Sequence, residues 1–389
     1  MISAFWLSLF IVFYAFFGYG ILLFILVKLR VLIMGKRKIP DNGGLWPTLT
    51  VLVAAYNEED FIVEKIKNTL SLTYPENKIS YIFVTDGSTD KTPDLISACP
   101  AIKLMHSPAR NGKIAAMHRA MEQVSSEIVV FTDANTLLNK DALTNICRHY
   151  KDLTVGAVSG EKRVNIDDVK DATAGEGFYW KYESKLKTWD SELYSVVGAA
   201  GELFSVRTKL YEPVQPDTIL DDFMISMLIA KKGYRIVYEP MAYATESGSE
   251  NVQEELKRKI RIAAGGIQSI VRLQSLLNPF GNFVLSFQYI SHRVLRWTVT
   301  PFLMVFALLL NILIVSLPLV PPIYRVLLAC QLGFYALSLL GWLLEKRQVR
   351  IKALFIPYYF CMMNYAVAAG IRRYLKGSQS AVWEKAKRK

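Results

Sequence analysis

Four polar clusters in this chain hold side chains suited to an anionic, hydroxyl-rich ligand: AAYNEE at 54–59, DGSTDKT at 86–92, NGK at 111–113 and FTDANT at 131–136. Asp133 and Asn135 offer hard oxygen ligands to a divalent cation such as Mg²⁺ or Mn²⁺. Tyr56, beside Ala55, presents a stacking face, and Asn57 and Glu58 add polar contacts. Asp86 can accept hydrogen bonds from a base N–H or a ribose hydroxyl. Lys113 follows Gly112, where backbone can approach closely, and can meet a phosphate. Each has an ordinary alternative, since Asx residues cap turns and helices and a lysine at a helix start is often a solvated charge. A fifth cluster, LDDF at 220–223, sets Asp221 and Asp222 side by side.

The flanking patterns say what must position these residues. Residues 128–131 are a continuous apolar run of the kind that forms a buried parallel strand, and it ends on the Asp133 cluster. Residues 50–55 and 79–85 read as strands ending on Tyr56-Asn57-Glu58 and on Asp86. Ile62, Ile66 and Leu70 recur at helical spacing, as do Ile114, Met117, Met121 and Val124. A short helix near Pro93 and a strand at 102–105 complete the alternation. Such βα alternation predicts an α/β fold, a largely parallel Rossmann-like sheet covered on both faces. Ligands of such sheets bind beyond the carboxyl ends of the strands, so the clusters should share one rim. A nucleoside diphosphate bearing a sugar would use all of them.

Of the 389 residues 52% are hydrophobic, too many for an ordinary soluble domain and too few for a protein embedded throughout. Residues 4–27 carry no charge and are long enough to cross a bilayer, and three further apolar segments follow residue 297. The net charge of +12 is assigned to membrane flanks and anionic nucleotides rather than to nucleic acid. Cys99, Cys147, Cys330 and Cys361 show no metal or disulfide spacing and read as reduced structural thiols.

Taken in order, the four rim motifs resemble the signatures of the family 2 glycosyltransferases. This large GT-A-fold group includes cellulose, hyaluronan and poly-N-acetylglucosamine synthases. The resemblance spans residues 48–270 and implies inverting transfer from a nucleotide-sugar, usually a UDP-sugar, with Asp86 near the uracil and Asp133 near the metal. The family's metal motif generally ends in a second Asp, and Asn135 stands there. The small-residue turn at 196–204, with Gly201 and Glu202, resembles the acceptor-binding loop. The family pattern places the catalytic base at Asp222, with Asp221 as its neighbour. At 258–262 the family's Gln-x-x-Arg-Trp reads Arg-Lys-Ile-Arg-Ile, so Arg261 alone is kept and the Trp position is Ile262. Arg258 and Arg261 are candidates for the diphosphate, although a basic helix beside a membrane can also rest on anionic lipid.

The expected organisation is an N-terminal anchor at 1–30, a linker at 31–47, the GT-A domain at 48–276, an interfacial helix at 277–297, a membrane region at 298–374 and a basic tail at 375–389. Within the membrane region, 298–320 and 326–344 read as spans and 354–371 as a weaker one. Basic residues follow the first span, which places its C-terminal end, and the catalytic domain, in the cytoplasm of a bacterial inner membrane. The partners expected are a nucleotide-sugar donor, a saccharide or polyprenyl-linked acceptor and membrane lipid, with export partners unspecified. The competing class is a catalytically inactive nucleotide-sugar sensor or partner-binding membrane protein, against which the presence of Asp222 counts.

Overall fold

Seven consecutive residues of β1 (Leu49–Ala55) are buried, as a strand covered on both faces requires. The computed structural model describes residues 1–37, 44, 46–164, 173–247, 252–347, 349 and 351–377. Part of the linker (38–43 and 45) and most of the basic tail (378–389) lie outside the described residues.

The chain opens with α1 (Ile2–Phe13) and α2 (Tyr19–Met34), joined through a π-helical turn at Tyr14–Gly18. The catalytic-size domain then runs β1, α3 (Ile62–Leu70), β2 (Ile79–Asp86), α4 (Thr92–Ser97), β3 (Lys103–Ser107), α5 (Lys113–Met121) and β4 (Ile128–Asp133). It continues through β5 (Leu137–Leu138), α6 (Ala142–Cys147), β6 (Val155–Val164), α7 (Thr173–Leu193), β7 (Leu203–Arg207), α8 (Asp221–Lys231), β8 (Arg235–Glu246) and α9 (Val252–Arg272). Among the described residues the strands form one sheet in the order β3-β2-β1-β4-β7-β6-β8-β5. The first four are parallel, and β7 runs antiparallel to both β4 and β6.

The period of two along β1 divides the core. Leu52 and Ala54 pack with α5, α8 and the end of α9, whereas Val51, Val53 and Ala55 pack with α3, α4 and α6. The carboxyl ends of β1, β2 and β4 therefore deliver Tyr56, Asp86 and Asp133 to a common rim, as the alternation predicts.

The membrane part begins with α10 (Phe283–Tyr289), a π-helical turn at Ile290–Val294, and α11 (Leu295–Trp297). It continues as α12 (Thr300–Val315), α13 (Pro322–Lys346) and α14 (Lys352–Leu375). Three helices among the described residues are long and apolar enough to cross a membrane: Ile2–Met34, Pro322–Lys346 and Ala353–Leu375. Phe283–Trp297 and Thr300–Val315 qualify only as a pair, bent by 61°. The strengths expected of 298–320 and 354–371 are thus exchanged: α12 is short and follows a sharp break, while α14 is a full-length candidate.

The segment ahead of α12 does more than float at a surface. Leu285 and Tyr289 enter the core of the sheet domain, and Phe283 is exposed. His292, fully buried, sits between two carboxylates of α7, with Nδ1 2.6 Å from Asp190 Oδ2 and Nε2 3.1 Å from Glu183 Oε1. Arg293 and Arg296 reach the same Glu183 at 2.8 and 3.3 Å, and Tyr19 of the first span donates to Asp190. Burial opposes the charge on Glu183, but Arg293 and His292 outweigh it and hold its carboxyl well below the usual range.

Helix α14 lies directly on α9. A Cβ at Gly370 would stand 2.6 Å from Ala263 Cβ and 2.8 Å from Ala264 N, so this crossing requires glycine. Gly370→Val should destabilise the protein by about 1–3 kcal/mol through overpacking. Thermal unfolding in detergent checks this, with Gly333→Ala as the control, because a Cβ at Gly333 meets nothing within 4 Å.

Candidate active site at the sheet rim

Asp86 ends β2 and turns its carboxylate onto the loop that starts α5. Its Oδ2 accepts from Asn111 N at 2.7 Å and from Gly112 N at 2.6 Å. Its Oδ1, 3.7 Å from Arg119 Nη1, is buried and accepts no hydrogen bond. That oxygen is available to a ligand N–H or hydroxyl. Tyr56, Ala55, Asp86 and Lys113 line one small hollow, and the Arg110 guanidinium lies 4.0 Å from the centre of the Tyr56 ring. Asn57 and Glu58 bind neighbouring loops. Asn57, in left-handed backbone at φ 51, accepts from Thr89 N at 2.9 Å, and Glu58 N donates to Thr92 Oγ1 at 2.8 Å.

Beside this hollow opens a cavity of about 310 Å³ whose lining includes Asp133, Gly201, Glu202, Asp221, Asp222 and Arg258. Lys113 bridges the two spaces, 3.0 Å from Asp133 Oδ1 and 3.4 Å from Asp221 Oδ2. Burial opposes its charge, yet the charges of Asp133 and then Asp221 raise its pKa above the usual lysine value, so the ammonium stays protonated. Asp222 differs. Burial, and then the charge of Asp221, push its carboxyl up to about 7, against the opposing pull of Lys113.

The acceptor-like loop is set against these acids by its glycines. Gly198 has φ 82, and a Cβ there would run into the Phe223 ring. A Cβ on Gly201 would lie 3.2 Å from Asp222 Oδ2, so the loop and the carboxylate are in near contact. Glu202 is bound by Lys162 Nζ at 2.5 Å, and Lys162 also pairs with Glu246. Although burial opposes its charge, Lys162 draws the Glu202 carboxyl down to about 2.

Asn135 Oδ1, two residues beyond Asp133, is buried with no hydrogen-bond partner. Among the described residues no group of three or more His, Cys, Asp or Glu side chains is arranged for a metal ion.

Arg258 lines the cavity, with Nε 2.9 Å and Nη2 3.0 Å from the Glu255 carboxylate. Arg261 is not part of the lining; Lys259 and Ile262 of the same helix are. Several lining residues escaped the sequence reading. Lys162, Trp180, Lys187 and Trp297 come from β6, α7 and α11, and Met363, Ala366 and Val367 come from α14. Fully buried Lys65 supports the Asp133 loop from below, with Nζ donating to Thr132 Oγ1 at 3.0 Å and to Thr136 O at 2.7 Å. Burial lowers its pKa to about 7, partly opposed by Asp133. Its signal was present, a lysine on the buried stripe of Ile62, Ile66 and Thr69.

Comparison with known proteins agrees with this geometry. Residues 50–214 match the family model described as glycosyl transferase family 2. Those residues thus mark a glycosyltransferase domain similar to family 2, on a GT-A fold. Poly-beta-1,6-N-acetyl-D-glucosamine synthase of Staphylococcus aureus is 28% identical over 248 residues, covering 61% of this chain and 59% of that protein. The synthase of Staphylococcus epidermidis is 27% identical over 235 residues, covering 58% and 56%. The chain therefore spans less than two thirds of the length of these curated relatives. A solved structure, the mannosyltransferase PcManGT from Pyrobaculum calidifontis in complex with GDP-Man and Mn²⁺, superposes with a TM-score of 0.71 at 25% identity, covering 97% of this chain and 100% of the other.

Because the folded-state pKa of Asp222 is raised from the ordinary value of 3.8 to about 7, its contribution to folding is complete only below the lower value and is lost progressively as pH rises to the upper one. Asp222→Asn should therefore unfold at a higher temperature than the unaltered protein at pH 8.5, and by a clearly smaller margin at pH 5. Thermal unfolding of the ligand-free protein at the two pH values is the check.

Proposed function

We propose that the protein is a membrane-anchored inverting glycosyltransferase that moves a sugar from a nucleotide-sugar to a saccharide or lipid-linked acceptor, in the synthesis of a cell-surface polysaccharide or glycolipid. The observation that carries this reading is Asp222, a carboxyl pushed up to about 7 on the wall of a cavity shared with the Lys113–Asp133 pair. A general base works best with a pKa near the working pH. Asp222 would take the proton of an acceptor hydroxyl held against Gly201 while that oxygen bonds to the anomeric carbon. The bond from that carbon to the diphosphate breaks on the opposite face, which inverts the configuration.

Asp86 and Tyr56 would hold the base and ribose. Lys113 would offset the charge that accumulates on the departing diphosphate, with Arg258 as a further cation on α9. Asp133 and the unpartnered Asn135 Oδ1 fit a hard divalent cation, Mg²⁺ or Mn²⁺. When bound, such a cation would neutralise diphosphate charge. The basic residues that follow the first span support a cytoplasmic rim, where nucleotide-sugars are made. The α10–α11 segment, tied to Glu183 and Asp190, would hold that rim at the bilayer surface.

Membranes containing the protein, incubated with labelled UDP- and GDP-sugars, should yield labelled product. Asp222→Asn should lower turnover by about 10²–10⁴-fold with nucleotide affinity within a few-fold of the unaltered protein. The rising limb of kcat/KM near pH 7 should vanish in that variant. Nucleotide binding without transfer from any donor would fit a sensor instead.

Chelating divalent cations should abolish transfer, and added Mg²⁺ or Mn²⁺ should restore it. Asn135→Asp should remain active, because it adds an anionic ligand. Full activity in excess chelator would leave Lys113 as the main stabiliser of the leaving group. Measuring product in chelator-treated membranes decides between these outcomes.

A further inference from the structure

Lys187 stands in an unusual position. It is 7% exposed and lines the cavity, as do Arg258 and Lys259 of α9. Its ammonium lies 5.6 Å from the centre of the Tyr238 ring, and among the described residues it makes no hydrogen bond or ion pair. The carboxylates around it are otherwise engaged, Asp190 of the same helix by Tyr19, Gln288 and His292. Glu183, one helical turn earlier, is held by His292, Arg293 and Arg296. Glu161 accepts from Ser184 Oγ at 2.5 Å and from the Tyr238 hydroxyl. A buried ammonium without a counter-ion is costly, and an aromatic face offsets only part of that cost. An anion entering the cavity would offset the rest.

The surroundings indicate where that anion comes from. Helix α7 packs against the spans α2 and α14, so Lys187 sits where the cavity meets the membrane helices. The neighbouring wall is apolar, formed by Trp297 of α11 and by Met363, Ala366 and Val367 of α14. The acids Asp133, Asp221 and Asp222 belong to the rim of the sheet. An acceptor with its hydroxyl at Asp222 and an oxyanion toward the bilayer matches this distribution of charge.

We propose that Lys187 marks an oxyanion subsite of the acceptor cavity, one that takes the phosphate headgroup of a lipid-linked acceptor. This rests on the reading of the cavity as an acceptor site, but its test needs no turnover. The full chain in phosphatidylcholine nanodiscs is titrated with labelled farnesyl phosphate and with farnesol, and glucuronate and glucose are tested as competitors. Farnesyl phosphate should bind at least about tenfold more tightly than farnesol, a difference of about 1.4 kcal/mol. Lys187→Met should remove that preference, Lys187→Arg should keep it, and UDP binding should be unchanged in both.

Equal binding of farnesyl phosphate and farnesol overturns the lipid-phosphate assignment, as does a preference that survives Lys187→Met. Lys187-dependent competition by glucuronate alone would keep the oxyanion subsite and overturn its lipid source. If Lys187→Met does not fold, the comparison of charged and neutral probes on the unaltered protein at low and high salt still decides. Transfer activity, measured separately, distinguishes failure of this subsite from failure of the glycosyltransferase reading.

Discussion

The shared ammonium of Lys113 is the contact on which the site depends. It joins the end of β4, through Asp133, to the start of α8, through Asp221, and it stands at the first position of α5. Without it, Asp133, Asp221 and Asp222 would form an uncompensated acidic cluster in a half-buried rim, and like charges at that spacing repel. With it, the acids divide. Asp133 and Asp221 are paired with the ammonium, while the carboxyl of Asp222 is pushed up to about 7. A single cation thus sets both the geometry of the rim and the contrast between neighbouring carboxyls that acid–base chemistry needs.

The attachment of this rim to the membrane helices is polar and buried. Glu183 and Asp190 of α7 collect His292, Arg293, Arg296 and Tyr19, so the first span and the segment before α12 converge on one helix of the sheet domain. Removing one member of such a network would strand buried charges, which makes it a fixed joint rather than a sliding surface. Arg293 and Glu183 also line the cavity, so the joint is continuous with the cavity wall.

The cavity is closed by contributions far apart in the chain. The acceptor-like loop, the start of α8, the basic face of α9, Trp297 and the apolar face of α14 meet around it. The Trp position of the family motif is Ile262 here, yet two indoles, Trp180 and Trp297, stand in the lining. The site therefore keeps an aromatic character that the altered motif alone would deny it. Gly370 allows α14 to lie close enough to α9 for a membrane helix to form part of the wall.

What the sequence determined by itself was local. Apolar runs of strand length ending in polar clusters placed Tyr56, Asp86, Lys113 and Asp133 at one rim, because in a parallel sheet every strand end of one sense lies at the same edge. The paired acids at 221–222 were legible for the same reason, as the start of a helix. The tertiary structure alone decided which of those side chains pair, which was left near neutral, and what closes the cavity. Lys162 and Lys187 look like surface charges in sequence, since burial of a lysine depends on elements folded over it from elsewhere. The break at residues 298–299, which leaves α12 a short helix and α14 the stronger span, is invisible to hydropathy because hydropathy measures composition and not direction.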